Sequence, residues 1–339
     1  MTPSAETAHA DSRTLAASLA PLVAQACDGR LGPIVWFRTD WQRGGAATGR
    51  CTYTLPDGSI KPVVLKLPVV QRELMWTKRL QYNGAESAQN ANSDQSQITP
   101  QDLAQPVPYL YACGETIGGY DLAWLVIEYL PHGPLGLHWH EDHIPRMSEA
   151  AARFHAAADA FAIDQPLKSE PWTDLLHDAA ESVRLNHIPN QQRWSIAIKT
   201  VRQRIRRLLD EWNARDVNHW LHGDLHLANT MSRVSLESGP VCLIDLAEVH
   251  TGHWVEDAVY LERQLWARPE RLRVHKPVKA IAAARKGLGL PVEGDYPRLA
   301  MIRRALLAGT APRYLKSEGH PAYMDACLNW LEIALNELK

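Results

Sequence analysis

A chain of 339 residues with 45% hydrophobic and 22% charged residues has ordinary globular proportions and is long enough for two lobes or domains. Its 36 basic and 38 acidic residues give a formal net charge of −2, which argues against a nucleic acid or an anionic membrane as the main partner. No apolar run reaches the length of about 18 residues that a membrane span needs, Glu6 and Asp11 stand where a secretory leader would be basic, and the five cysteines contain no CxxC pair, so a cytoplasmic protein without structural zinc is expected.

Leu15, Leu19, Leu22, Val23 and Ala26 share one helical stripe, which predicts a docked helix over 14–27 that Pro21 kinks or restarts. Three β-like runs follow at 34–38, 50–55 and 62–67, and Pro56-Asp57-Gly58 joins the last two as a hairpin. Between the first two runs lie Gly44, Gly45 and Gly49, where a missing Cβ would let backbone N–H groups approach phosphates. No Gly-Lys-Ser/Thr follows, so this is not a Walker A loop. Lys66 ends the apolar run Val63-Val64-Leu65, and an ammonium in a buried-type strand needs a partner. A short helix is expected over 72–82. Residues 83–105, rich in Asn, Gln, Ser and Ala, predict a mobile insertion. Two further strands are expected at 109–112 and 123–129. Beyond Pro131-His132-Gly133-Pro134 the pattern turns helical, most clearly at 148–162, 175–186 and 196–213. Strands with one helix, then a mostly helical body, make an α+β protein of two lobes.

The densest chemical signal is His222-Gly-Asp-Leu-His-Leu-Ala-Asn-Thr-Met231, followed by Val241-Cys-Leu-Ile-Asp-Leu246. Asp224 and Asn229 lie five apart on a stretch too short and mixed for a regular helix. Asp245 follows an apolar run that predicts a strand delivering a carboxylate at its end. Phosphoryl transfer needs a carboxylate to orient the attacking hydroxyl and oxygen ligands to hold Mg²⁺ on the nucleotide phosphates. Asp224 suits the first task, Asn229 and Asp245 the second.

This string, in this order, resembles the aminoglycoside phosphotransferase and choline kinase-like family, relatives of the protein kinases. It matches the protein-kinase pattern H-x-D-L-x-x-x-N with Gly223 in place of Arg, a second histidine at 226, and Leu246-Ala247 after the metal aspartate. The resemblance covers roughly residues 30–335. It implies a protein-kinase-like bilobal fold: a helical extension over 1–30, a small β-rich N-lobe over 31–130, and a larger, mostly helical C-lobe over 131–339. It implies an enzyme that uses ATP and Mg²⁺ to phosphorylate the hydroxyl of a small molecule, as a monomer or homodimer. Lys66 would grip the nucleotide phosphates, paired with Glu73 or, given the short spacing of seven residues, with Glu86. Glu128 and Leu130 would form the hinge that meets adenine. His222 would support the loop backbone, and Asp257 resembles the aspartate that braces that loop. The alternatives are a protein kinase, against which the missing Arg and the absent Phe-Gly speak, and a nucleotide-binding pseudokinase, against which the intact Lys66, Asp224, Asn229 and Asp245 speak.

For the acceptor, His226, Glu248, Trp254 and Glu262 are candidate contacts. Of twelve tryptophans, Trp139, Trp254 and Trp266 are candidates to stack on a sugar ring, while most are expected in the core. From Arg263 to Lys339 there are 14 Lys/Arg against 7 Asp/Glu, which points to a neutral or anionic acceptor unless the charges form a solvated outer face. His138, His140 and His143 match no common zinc spacing and predict a solvated helix start.

Overall fold

Strand alternation organises the first part of the chain. The computed structural model describes residues 17–37, 46–81, 104–167, 169–237 and 239–339. Residues 17–26 form helix α1, which runs through Pro21 without a break in the helix. Then come β1 (Val35–Phe37), β2 (Ala47–Thr54), β3 (Ile60–Val69), α2 (Gln71–Arg79), β4 (Leu110–Gly114) and β5 (Ala123–Glu128). The five strands make one antiparallel sheet in the order β1-β2-β3-β5-β4. The β2–β3 turn is the expected one: Gly58 sits at φ +84°, and the Asp57 carboxylate accepts the Ser59 N–H at 2.8 Å.

Val63, Leu65 and Leu67 of β3 are buried on one face with Leu19 and Val23 of α1. The two-residue period turns Lys66 to the other face, opposite Leu125, which packs with Leu74 of α2. The run 63–67 is thus an alternating strand with a different layer on each side.

Residues 82–103, most of the expected insertion, lie outside the described residues. The end of that segment is not a surface loop: Gln105 is 1% exposed and donates its Nε2–H to the Leu80 carbonyl at 3.0 Å.

The remaining elements are α3 (His143–Ala158), α4 (Trp172–Asn186), α5 (Gln191–Asn213), β6 (His219–Leu221), β7 (Thr230–Ser232), β8 (Val241–Leu243), β9 (His250–Gly252), α6 (Val255–Arg263), α7 (Pro277–Gly287), α8 (Tyr296–Thr310), α9 (Leu315–Glu318) and α10 (Pro321–Glu337). The chain is therefore α+β, with a five-stranded antiparallel sheet followed by a mostly helical part. Helix α3 starts five residues before the predicted 148, because Ile144 and Met147 continue the buried stripe and Pro145 falls in the first turn, where its missing N–H costs nothing. None of the described helices is long and apolar enough to cross a membrane.

Two compact units result: Met1–Trp139 with Leu227–Val249, and His140–His226 with His250–Lys339. The β7–β8 hairpin therefore folds with the sheet-bearing unit, whereas the antiparallel pair β6–β9 folds with the helices.

A buried arginine ties the first unit together. Arg233 donates to the Glu128 carboxylate at 2.8 and 3.0 Å, and to the carbonyls of Gln105 (3.1 Å) and Val107 (2.9 Å). Glu128 also accepts the Tyr109 N–H at 3.1 Å, so its side chain is fully engaged by protein donors. We expect Arg233→Met to lower the unfolding free energy by about 3 kcal/mol, since it strands a largely buried carboxylate. Adding Glu128→Gln should restore part of that loss, as urea titrations of both variants would show.

Candidate active site

Lys66 is 15% exposed and lies 2.6 Å from Glu73 Oε1 and 3.3 Å from Asp245 Oδ1. The seven-residue spacing to Glu73 suffices because only Val70 separates β3 from α2, so the chain reverses at once. Glu73, Leu74, Trp76 and Thr77 are the buried residues of α2, and this face brings the carboxylate back over the strand. Burial disfavours the ammonium, but the two carboxylates outweigh it and hold the Lys66 pKa above the ordinary lysine value. Glu73 is thus the partner in the described structure; Glu86 lies outside the described residues.

The β7–β8 hairpin brings the two expected metal ligands to one end. Thr230 pairs with Leu243, and the Ile244 N–H donates to the Asn229 carbonyl at 3.0 Å. Asn229 and Asp245 therefore flank the last rung of the ladder. Asp245 takes the left-handed conformation at φ 65°, uncommon for a residue with a Cβ, and its side chain stays 44% exposed. The strand itself ends at Leu243, two residues before the carboxylate, and this backward-twisted residue aims it.

In the second unit the 222–224 turn hangs on Asp257 of α6. Its carboxylate accepts the backbone N–H of His222 (2.9 Å) and of Gly223 (2.9 Å). Gly223 sits at φ +80°, where a side chain would be strained, which accounts for glycine in this loop. Behind Asp257 stands a relay of buried groups. Arg285 faces His155 Nδ1 at 3.1 Å, and His155 Nε2 lies 3.0 Å from Asp257. A guanidinium only donates, so Nδ1 accepts and Nε2 carries the proton given to Asp257. Burial, opposed by Asp257, keeps the His155 pKa below the usual histidine value, so the ring is neutral. Burial also opposes the Asp257 anion, but His155 and the loop N–H groups hold its carboxyl below the ordinary range.

His222 is fully buried, packs edge-on against Phe154, and accepts the Asp224 N–H on Nδ1 at 3.3 Å. Asp224 is gripped from two sides: the Tyr260 hydroxyl donates to Oδ1 at 2.7 Å and His226 Nε2 lies 3.2 Å from Oδ2. Burial works against its ionisation, yet these two partners hold the carboxyl far below the usual carboxylate range. Sequence reasoning missed Tyr260, His155, Arg285 and Arg233. Tyr260 had a local signal, three residues after Asp257 on one helix; the others are tied to the site only through long-range packing.

Several expected contacts are used otherwise. Trp254 is fully buried and donates to Glu293 Oε2 at 2.9 Å, so it offers no ring face to an acceptor. Trp266 is buried and stacks on Trp330 at 5.7 Å. Glu262 is buried and held by Arg304 at 2.7 and 2.8 Å. Glu248 is exposed and belongs to the first unit. Gly49 lies inside β2, where a Cβ would come within 2.4 Å of Ile34; packing alone requires glycine there. Gly44 and Gly45 lie outside the described residues. Leu130 is buried. Of the three clustered histidines, His138 and His140 are solvated but His143 is buried, accepts the His140 N–H at 3.3 Å, and has its pKa lowered to about 4 by burial. Part of the basic C-terminal stretch is used in ion pairs, while Arg268, Arg273, Lys276, Lys279 and Lys286 are exposed. Arg263 pairs with Glu318, Arg298 with Glu211, Arg303 with Glu170 and Arg313 with Asp178.

A five-stranded antiparallel sheet carrying a buried lysine–glutamate pair, followed by a helical part with a braced His-Gly-Asp turn, defines a kinase-like phosphotransferase. The chain belongs to the phosphotransferase enzyme family, whose sequence profile matches residues 84–302, and it is a small-molecule kinase. No curated protein sequence matches it. Among solved structures it is similar to a provisionally assigned aminoglycoside phosphotransferase from Ralstonia eutropha JMP134 (14% identity, 94% of this chain and 97% of that one, TM-score 0.53). It is also similar to a microcompartment-associated aminopropanol kinase (12% identity, 93% and 95%, TM-score 0.51). A Streptomyces rimosus aminoglycoside phosphotransferase bound to ADP and streptomycin matches at 18% identity over 88% and 98%, with a TM-score of 0.44. At these identities the likeness to the first two is one of fold.

The Tyr260 hydroxyl helps hold Asp224 ionised and oriented. Tyr260→Phe should lower kcat by roughly tenfold to a hundredfold, the net worth of about 1.5–3 kcal/mol for one hydrogen bond to a charged group, with nucleotide KM unchanged. Losing that donor raises the Asp224 pKa, so the acid limb of the pH–rate profile should move toward neutral pH. A limb displaced to lower pH would contradict the role of this hydrogen bond.

Proposed function

We propose that the protein transfers the γ-phosphoryl group of ATP to a hydroxyl of a small organic acceptor. The observation that carries this reading is Lys66, largely buried yet held between Glu73 and the half-exposed Asp245 at 2.6 and 3.3 Å. An ammonium kept protonated and aimed along a carboxylate suits the phosphate tail of a nucleotide. Glu128 and Leu130, at the end of β5, would meet the adenine through their backbone groups, the Glu128 carboxylate being held by Arg233.

Mg²⁺ fits the donors at the end of the β7–β8 hairpin, because a carboxylate and an amide oxygen are the hard ligands that ion prefers. Asp245 keeps much of its carboxylate open, and its left-handed backbone aims it away from the strand. When bound with the nucleotide, the ion would neutralise charge on the phosphate oxygens.

The chain's own contribution to the chemistry is Asp224. Held ionised by Tyr260 and His226, it accepts the hydrogen bond of the acceptor hydroxyl and aims the oxygen at the phosphorus. Asp257, neutral His155 and Arg285 keep the loop backbone in that position without touching the acceptor. His226 and the open side of Asp224 are the remaining candidates for acceptor contact. With Trp254 and Glu262 inside the fold and five of the C-terminal arginines in ion pairs, composition alone does not choose between a cationic and an anionic acceptor. The acceptor class is therefore an alcohol: amino sugar, aminoglycoside-like, sugar or amino alcohol.

A coupled assay of ADP release over such a panel, with ATP and GTP and with and without Mg²⁺, tests the reading. Asp224→Asn should cut turnover by about 10²-fold or more with little change in nucleotide affinity. Asp245→Asn should abolish Mg²⁺-dependent turnover in a folded protein. Full turnover in either variant, or no acceptor-dependent ADP release with any alcohol, would overturn it.

A further inference from the structure

We propose a second cation site, separate from the phosphoryl-transfer residues, in which Asp216, His219 and Glu293 bind a divalent transition metal of the zinc class. Among the described residues these three offer the one group of His, Cys, Asp or Glu ligand atoms that all lie within 4.8 Å of one another. All three belong to the second unit.

The spacing of three polar residues would carry little by itself. What points to an ion is His219, which is 6% exposed and whose Nε2 has no hydrogen-bond partner. Its Nδ1 lies 3.1 Å from Asp159 Oδ2, and a carboxylate can only accept, so Nδ1 carries the proton. Nε2 then presents a lone pair, 3.7 Å from Asp216 Oδ2. A buried lone pair facing carboxylates is an arrangement that no donor in the group relieves. The distance of 3.7 Å is too long for a hydrogen bond but close to the separation of about 3.3 Å between two ligand atoms on one tetrahedral zinc.

The surroundings are those of a prepared site. A metal-bound histidine ordinarily gives its other N–H to a carboxylate, as His219 gives Nδ1–H to Asp159. Asp216 Oδ1 is taken by the Asn218 N–H at 2.9 Å, which leaves Oδ2 turned to His219. Glu293 Oε2 accepts from Trp254 Nε1 (2.9 Å) and from His253 Nε2 (3.1 Å), whose own Nδ1 accepts the Val255 N–H. Each ligand is thus tethered through one polar atom, and His219 offers Nε2 as the unpartnered one. The Asp216 side chain is 43% exposed, so water completes the coordination sphere, as in open zinc sites.

Such an ion would join the turn after α5 and the loop before α8 to the first residue of β6. That strand ends one residue before His222, so the metal would stiffen the strand that leads into the Asp224 turn. An ion that binds only the folded state also raises stability by mass action.

The test uses the full chain stripped by chelator, without nucleotide. Zn²⁺ is titrated by calorimetry, Co²⁺ binding is followed by its visible absorption, and melting is recorded with and without Zn²⁺. We expect one ion per chain, tetrahedral Co²⁺ bands and a higher Tm with Zn²⁺. Asp216→Asn and Glu293→Gln, each checked for native circular dichroism, should weaken binding by about tenfold or more and remove the Tm shift, consistent with loss of a ligand. The His138→Ala/His140→Ala pair and Asp245→Asn should keep it. Undiminished binding in both ligand variants, loss of binding in the His138/His140 pair, or no bound ion in the parent chain would overturn the site.

Discussion

A cation that must be buried in a sheet dictates the layout of the first unit. An ammonium cannot leave water without carboxylate partners, and Lys66 obtains two from different parts of the chain. Glu73 requires α2 to start directly after β3, with its buried stripe facing back onto the strand. Asp245 requires the β7–β8 hairpin, more than 160 residues later in sequence, to fold with the sheet. The same rule governs Arg233, whose guanidinium finds Glu128 and the carbonyls of Gln105 and Val107. Local structure, the long-range closure of the unit and the presentation of the proposed phosphate and metal groups therefore follow from one electrostatic demand.

The second unit solves the mirror problem, a buried anion. Asp257 has no exposed surface to speak of, and its charge is met by two loop N–H groups and by neutral His155, itself oriented by Arg285. The result is a loop whose backbone is fixed from beneath, so that Asp224 is aimed without a helix or strand of its own. Asp224 differs in being only partly buried, which leaves it able to accept a hydrogen bond from an incoming hydroxyl. Two aspartates on one loop system thus serve different ends, set by exposure and by the donors each receives.

Part of the charged and aromatic composition of the last quarter of the chain serves the fold. Arginines in the last quarter of the chain are spent on Glu170, Asp178, Glu211, Glu262 and Glu318, and Trp254 and Trp266 are core. A helical body of this size needs many such pairs to bury its polar stems, so a regional excess of one charge says little about what a cleft binds.

Much was written in the sequence itself. The hairpin turn at 56–58, the alternation of β3, the string 222–231 and the aspartate at 245 are local signals, because turn chemistry, two-residue periodicity and motif spacing act over a few residues. They sufficed for the α+β class and for singling out Lys66, Asp224, Asn229 and Asp245 as candidates, while Asp257 came from the family resemblance and is seen to brace the 222–224 turn. Tertiary structure decided the rest. That Glu73 meets Lys66 across a single connecting residue depends on how α2 packs. That Glu262 and Trp254 turn inward depends on Arg304 and Glu293, and that Tyr260 holds Asp224 depends on the placement of α6. The tether of Asp159 to His219, and the lone pair it leaves facing Asp216, arises between residues 60 positions apart. No periodicity or spacing encodes such partners, since a buried charge is satisfied by whichever group the packed chain brings to it.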